Sequence, residues 1–449
     1  METAVAIDSQ RSGRRRDSRL RRVFVIWALL FFNALTPEQG TLLPIPHRIA
    51  QLITQSALFM ALVLAVTINP RMRMRPNWFL GLYTVLAISA LMMSVRLVGL
   101  GTGYRSFRLL VFLFVLWLLT PWWGRRDLVV LRGQMRVIAI ILGSVVLGLF
   151  ISPGTALPEG RLSGTIWPIW STQVAHFAAE VAGLTMLLWL CRLISRRSTL
   201  MVALPALAIL VLTHTRTALL AMIVGLLVGG VSLFLAKRRV RRTFATVLLV
   251  VVVVGIPALP LLTHWLTRGE SSQNLQNLTG RTKAWSAALS IHRPTTNVIF
   301  GGGLSNDAVN GSSDPAENGL PIDSSWISIY QDQGIVGEVL VGAIFMVLLL
   351  TTLCRARGPT RALALFLIVY CLIAGFSESG LGGASPYLLD LTVAASLVTF
   401  PSATGTDLMF DLKLPDVPHQ QGQAGRYQTA HAAAAGTEGN SHLPRAPYC

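Results

Sequence analysis

Charge is scarce in this chain. Asp, Glu, Lys and Arg together make up only 13% of the residues, while 53% are hydrophobic. A soluble protein of this length needs far more polar surface, so a soluble enzyme or binding module is excluded. Negative charge is scarcer still, with 20 Asp and Glu against 38 Lys and Arg. The net charge of +18 raises the question of nucleic acid. The basic residues, however, come in short clusters between hydrophobic runs, the pattern that encodes membrane topology. No nucleic-acid partner is expected. Cysteine is nearly absent: Cys191, Cys354, Cys371 and Cys449 form no Cys-x-x-Cys pair. There is no disulfide framework and no thiolate metal site to read. No phosphate-binding Gly-x-x-x-x-Gly-Lys-Ser/Thr loop and no strand-borne Gly-x-Gly-x-x-Gly occurs, so a soluble nucleotide is not expected as a ligand.

What the chain has instead is hydrocarbon. Apolar runs fall near 23–36, 49–68, 78–97, 107–122, 137–151, 172–191, 199–213, 217–235, 243–262, 326–350, 361–376 and 386–400. Many approach the roughly 20 residues needed to span a bilayer. In lipid such runs must be helices, because every backbone polar group has to be satisfied internally. The expected fold is an all-α polytopic membrane bundle of about twelve transmembrane helices, with one large external loop containing short helices. The first run follows a basic segment but lacks a small-residue cleavage site, so it reads as an uncleaved span.

The arginines orient the bundle. Alternate connections are basic: Arg71, Arg73 and Arg75; Arg125, Arg126, Arg132 and Arg136; Arg192, Arg196 and Arg197; "KRRVRR" at 237–242; Arg355, Arg357 and Arg361. Cytoplasmic loops carry the excess of Lys and Arg, which puts both termini in the cytoplasm. The chain then divides into a basic cytoplasmic N-terminus (1–22), spans one to nine (23–262), a large external loop (263–325), spans ten to twelve (326–400) and a disordered cytoplasmic tail (401–449).

By this count the connection "THTR" before 217–235 is external, and Arg216 breaks the topology rule. It stands at a helix N-terminus, where unpaired N–H groups and the helix dipole favour an anion. Thr213 or Thr215 can cap that helix. A guanidinium there suits a phosphate, although snorkelling to lipid headgroups accounts for it equally well. Arg281 and Lys283 form a second basic pair in "LTGRTKAWSAALSIH", either solvated charges or ligands of the same anion. Thr279 can cap a short helix there, with Trp285, Ala288, Leu289 and His292 on one face, lying on or re-entering the membrane surface. A flexible turn, "FGGGLSND", follows. Asp323 precedes the next span, where Asp323 or Ser324 caps the helix and Ser325 enters it. A carboxylate at that position can also take a proton from an attacking hydroxyl. His214 is a second candidate base or a plain interfacial histidine. Glu378, at the outer end of a span, is costly unless paired, and an arginine is its expected partner.

These fragments, in this order, resemble the O-antigen ligase and O-antigen polymerase family of bacterial membrane glycosyltransferases. "HTRTALLAMIVGLL" is similar to that family's Ser/Thr-Arg-Thr-Ala run. "LTGRTKAWSAAL" followed by "IFGGGLS" resembles its Gly-Arg…Trp motif and glycine turn. "IDSSWISIYQDQGIVGEVLVG" resembles the segment after the large loop, and "EGRLSGTIWPIWSTQVAH" an upstream Gly-Arg-x-x-Gly segment carrying Arg161. The resemblance implies a transferase on the outer face of the bacterial inner or plasma membrane. Its donor is a glycan on a polyprenyl diphosphate, with a glycan acceptor and membrane lipid as its other partners. It implies that Arg216 and Arg281 hold the diphosphate and Asp323 assists the acceptor hydroxyl. Arg161, His214, Lys283 and Glu378 are further substrate-binding candidates. Ligases commonly carry His where this chain has Asp323, which tilts the reading toward a polymerase. Two guanidiniums can neutralise the charge that builds on a diphosphate leaving group, a task often given to metal ions. No Asp-x-Asp motif is found, so metal-independent transfer with inversion and no cofactor is expected. A flippase or transporter of lipid-linked saccharide is the competing class. It should place ionisable residues near the bilayer midplane, and the mid-span positions read as nearly free of charge.

Overall fold

A computed structural model describes residues 21–35, 46–98, 103–124, 128–234, 281–304, 308–309, 314–315 and 317–399. The basic N-terminus to residue 20, the expected span 243–262, the cluster 237–242, the first part of the large loop to 280 and the tail from 400 lie outside the described residues. Of the two units into which the chain divides, the second, Ala403–Cys449, falls wholly in that last segment.

The described residues form helices and no strand, as their composition requires. Those of six residues or more are α1 (21–34), α2 (His47–Ile68), α3 (Trp78–Val98), α4 (Gly103–Leu119), α5 (Val129–Ile151), α6 (Ser171–Leu190), α7 (Arg196–Leu212), α8 (Arg216–Phe234), α9 (Arg281–Ser290), α10 (Thr295–Phe300), α11 (Ser325–Cys354), α12 (Pro359–Ser377) and α13 (Pro386–Val398). Every apolar run expected within the described residues coincides with a helix. Eight of these helices are long and apolar enough to cross a membrane. The chain is an all-α polytopic membrane bundle.

The bundle is organised around its C-terminal helices. Nearly every residue of α13 is buried, as befits a helix that is apolar on all sides. Next to it α12 packs against α6 and α8 at close range. Small residues permit that approach: a methyl group at Gly183 or Gly225 would fall 2.3 or 2.9 Å from the Phe366 ring. Membrane helices associate through such close van der Waals contact, because lipid supplies no hydrophobic drive between them.

α11 is not one continuous helix. Gly334 adopts φ 65° and ψ −161° inside it, a conformation essentially restricted to glycine. The break frees the carbonyls of Gln331 and Asp332, and the N–H groups of Gly302 and Gly303 take them at 2.8 Å each. The glycine run after α10 is therefore a fitted turn. A methyl group on Gly301 would sit 2.2 Å from the Gln333 nitrogen, and one on Gly334 would sit 2.5 Å from Gly301.

The spans are not free of ionisable groups. Glu180 of α6 and Asp390 of α13 are buried, and Gln134 of α5 donates from Nε2 to both carboxylates. The Cys371 thiol of α12 lies 3.9 Å from Asp390. Beside them the Tyr370 hydroxyl is 2.7 Å from His176 Nδ1, and Tyr387 meets the same imidazole edge-on. The expectation of nearly uncharged mid-spans is corrected here. Buried carboxyl groups are tolerated because an amide from a third helix satisfies them, and periodicity within one helix cannot reveal that.

Candidate functional site

The described residues of four chain segments converge at one end of the bundle: 157–170, the 213–215 turn, 281–324 and 378–385. The first two dock on each other by backbone pairing, with Leu162 N–H donating to Leu212 C=O at 3.1 Å. The turn between α7 and α8 is tight because His214 takes a left-handed φ of 51°, a region His tolerates better than most residues. Arg161 braces it, its Nε donating to Thr213 C=O at 3.3 Å and its Nη2 to Thr215 Oγ1 at 3.5 Å. A cation on the last carbonyls of a helix is a favourable C-terminal cap. Thr215 Oγ1 also donates back to Thr213 C=O. Arg216 is the first residue of α8, as expected, and its side chain is half-buried.

Arg281 is the first residue of α9. Its Nε lies 3.5 Å from Asp323 Oδ2, and its Nη2 lies 3.3 Å from Glu378 Oε1. Nε and Nη2 are neighbouring donors on one edge of the guanidinium, so two carboxylates from distant segments meet on that edge. Glu378 is the more enclosed of the pair, with its side chain 15% exposed against 41% for Asp323. It sits at the C-terminal end of α12, and its carbonyl accepts from Ser325 Oγ at 2.6 Å. The same Ser325 hydroxyl accepts from Leu381 N–H at 3.2 Å, which ties the start of α11 to the loop after α12. Burial pushes the Glu378 carboxyl up to about 7, with the like charge of Asp323 adding to the rise and Arg281 and Arg161 opposing it. The charge of Arg161 thus acts on the same carboxylate that Arg281 holds.

Lys283 is exposed on α9 and outside this cluster. The buried face of α9 is Ala284, Ala287 and Ala288, packed on Val309 and Ile322, with Trp285 edge-on to Phe376 of α12 at 5.5 Å. Leu289 is 55% exposed and His292 lies beyond the helix end, which corrects the expected face of Trp285, Ala288, Leu289 and His292. Arg281 has to face Asp323 and Glu378, and this turns the small alanine stripe inward. Ser324 occupies the N-cap position of α11 without a side-chain cap bond. Asp323 stands one residue outside the helix and spends its carboxylate on Arg281.

The sequence named Arg281, Asp323 and Glu378 separately, and the fold brings them together. It links Arg161 to the turn that leads into Arg216. What sequence reasoning missed is the role of Ser325 as the clamp on Glu378, and the buried cluster of Gln134, Glu180, Asp390 and Cys371. The positional signal for that cluster was an acid in the middle of an apolar run, at Glu180 and again at Asp390.

No curated protein is significantly similar to the chain. Residues 200–342 match the family model described as O-antigen ligase. The matched segment contains Arg216, Arg281 and Asp323, while Arg161 and Glu378 reach the same end of the bundle from outside it. A bundle of apolar helices of this length is a multi-pass membrane protein, and its segment 200–342 is similar to the O-antigen ligase family.

Proposed function

We propose that the protein is a membrane glycosyltransferase that polymerises cell-surface polysaccharide from polyprenyl-diphosphate-linked glycan at the outer face of the bacterial inner or plasma membrane. The observation that carries this reading is the Arg281 guanidinium held between Asp323 and Glu378. Its donor edge suits bidentate recognition of a phosphate. Arg216, at the N-terminus of α8, adds a second cation and the positive end of a helix dipole. Displacement at the anomeric carbon expels a lipid diphosphate. Fixed guanidiniums stabilise the charge that develops there, and Asp323 takes the proton from the acceptor hydroxyl. One attack from the face opposite the leaving group inverts the sugar carbon. Neutralisation by guanidinium groups supports a reaction that needs no metal, and transfer that persists in chelator is the expected result.

A ligase that moves a finished glycan to a different acceptor uses the same site. Asp323, where ligases of the resembling family commonly carry His, favours the polymerase. The buried Glu180–Asp390 pair favours a second class, a transporter of lipid-linked saccharide. One experiment separates all three: the mass profile of lipid-linked and surface glycans in cells carrying wild type or Arg281→Ala at matched protein level. Single repeat units accumulating on lipid identify a polymerase, and finished chains on lipid a ligase. Precursors trapped on the inner face identify a transporter. Identical profiles reduce Arg281 to a surface charge and refute the site.

A further inference from the structure

Two carboxyl groups serve one guanidinium at this site, and their surroundings differ. Asp323 stands on the open side, on a segment that leads into α11. Glu378 is enclosed, and its backbone is locked by Ser325 and by its own N–H on Ala374 C=O at 3.0 Å. We propose that Glu378 is the general acid that delivers a proton to the diphosphate leaving group, the counterpart of Asp323 as base. This rests on the transferase reading above and assigns the second half of its proton transfer.

Donor binding itself sets Glu378 up for the role. The carboxylates occupy the Nε–Nη2 edge that a phosphate would take bidentately. A diphosphate arriving on that edge removes the counter-cation of the enclosed Glu378 and places negative charge beside it, whereas solvent screens the more open Asp323 from the same effect. Both changes favour the neutral carboxylic acid. The groups facing Glu378 from the elements around it are Arg281 of α9, Asp323 before α11, Arg161 of the 157–170 segment and Tyr387 of α13, on which the Glu378 charge acts. Burial already holds the carboxyl at about 7 with the arginines in place, so at neutral pH a proton is available. An enclosed carboxyl group and a more open one on the same guanidinium can divide the acid and base work.

The step balances. The acceptor O–H bond breaks and its proton goes to Asp323. The acceptor oxygen forms the new bond to the anomeric carbon. The bond from that carbon to the diphosphate oxygen breaks, its electron pair stays on that oxygen, and the Glu378 proton joins it. Solvent exchange then returns a proton from Asp323 to Glu378.

The test uses the full chain reconstituted in lipid with a polyprenyl-diphosphate glycan donor and follows kcat and KM against pH for wild type, Glu378→Gln and Glu378→Asp. Wild-type kcat/KM should fall as pH rises past about 7, where the free enzyme's carboxyl ionises, and kcat should fall only at higher pH, because bound diphosphate keeps the proton on Glu378. Glu378→Gln should lower kcat about 100-fold with KM nearly unchanged and abolish the alkaline limb, while Glu378→Asp retains the limb. A Glu378→Gln enzyme that keeps the wild-type rate and limb, or that changes only KM, overturns the acid role and leaves the transferase reading standing. No transfer by wild type from this donor overturns both. A second readout needs no active variant: a polyprenyl methylenediphosphonate should bind wild type at pH 8 with uptake of about one proton, read by calorimetry in buffers of different ionisation enthalpy. Binding without proton uptake overturns the proposal.

Discussion

Arg281 and Glu378, 97 positions apart in the chain, meet at 3.3 Å across the end of the bundle. The contact joins the short helix of the large loop to the C-terminal end of α12. Asp323 completes it on the same guanidinium edge, at 3.5 Å. A charge-assisted pair of this kind, largely shielded from water, is oriented by three separate elements. It is therefore positioned before any substrate arrives, which is what electrostatic catalysis requires.

Arg281→Ala should remove one of the donors that meet the leaving group. Removing a single preorganised donor typically costs about 100- to 1000-fold in kcat, and that is the expected loss of glycan transfer. Arg281→Lys keeps the charge but not the two-pronged edge, so it should recover only part of the rate. Initial rates on lipid-linked donor decide this. Full activity in the Lys variant would show that the charge alone matters.

Asp323→Asn should leave the fold intact, because Asp323 is half open to solvent and stands outside α11. In the proposed role of proton acceptor it should contribute on the order of 100- to 10,000-fold. Asn should lose that factor in kcat. Asp323→His, the residue common in the resembling ligases, should restore part of the rate. Initial rates of the three proteins at matched protein level are the measurement. An Asn variant with the wild-type kcat would remove Asp323 from the chemistry.

Gly334→Ala should be disruptive out of proportion to one methyl group. The residue has φ 65°, and an added Cβ would fall 2.5 Å from backbone atoms of Ile299 and Gly301. Strained backbone of this kind costs of the order of 1–3 kcal/mol, before the clash is counted. The thermal unfolding midpoint in detergent should drop. Gly342→Ala, where an added Cβ meets nothing within 4 Å, is the matched control and should be nearly neutral.

Gln134→Leu should destabilise the bundle without touching the substrate site. The Gln134 amide donates to both Glu180 and Asp390. Leucine leaves two buried carboxyl groups facing each other without that donor. An unsatisfied buried polar group costs about 1–3 kcal/mol. The unfolding midpoint should fall while KM for the donor stays the same. A variant as stable as wild type would show that the carboxyl pair needs no bridge.

Much of the architecture was legible in one dimension. Transfer of apolar side chains into lipid is a local property, so run length located α2 to α4, α6 to α8 and α11 to α13 within a few residues, while α5 begins eight residues before its expected run, with Arg132 and Arg136 inside the helix. The turn at Thr213–Thr215 and the start of α11 at Ser325 were legible for the same reason. The identity of the cations and acids at this end of the bundle, Arg161, Arg216, Arg281, Asp323 and Glu378, could be read because charge is so rare in this chain that each instance stands out.

Which of those charges meet was decided by the tertiary structure alone. Nothing in the spacing of Arg281, Asp323 and Glu378 predicts that one guanidinium edge takes both carboxylates, because that pairing depends on how α9, α11 and α12 pack. The inward face of α9 was misjudged since the pull of Arg281 toward its partners outweighs the hydrophobicity of Leu289. The sequence marks Glu180 and Asp390 as acids inside apolar runs, but not their bridging by Gln134, since that takes an amide on one helix and carboxyl groups on two others. The sequence determined which segments enter the membrane through the free energy of burying each run. Only the fold decided which polar groups face one another, because a hydrogen bond between distant helices has no signature in either helix by itself.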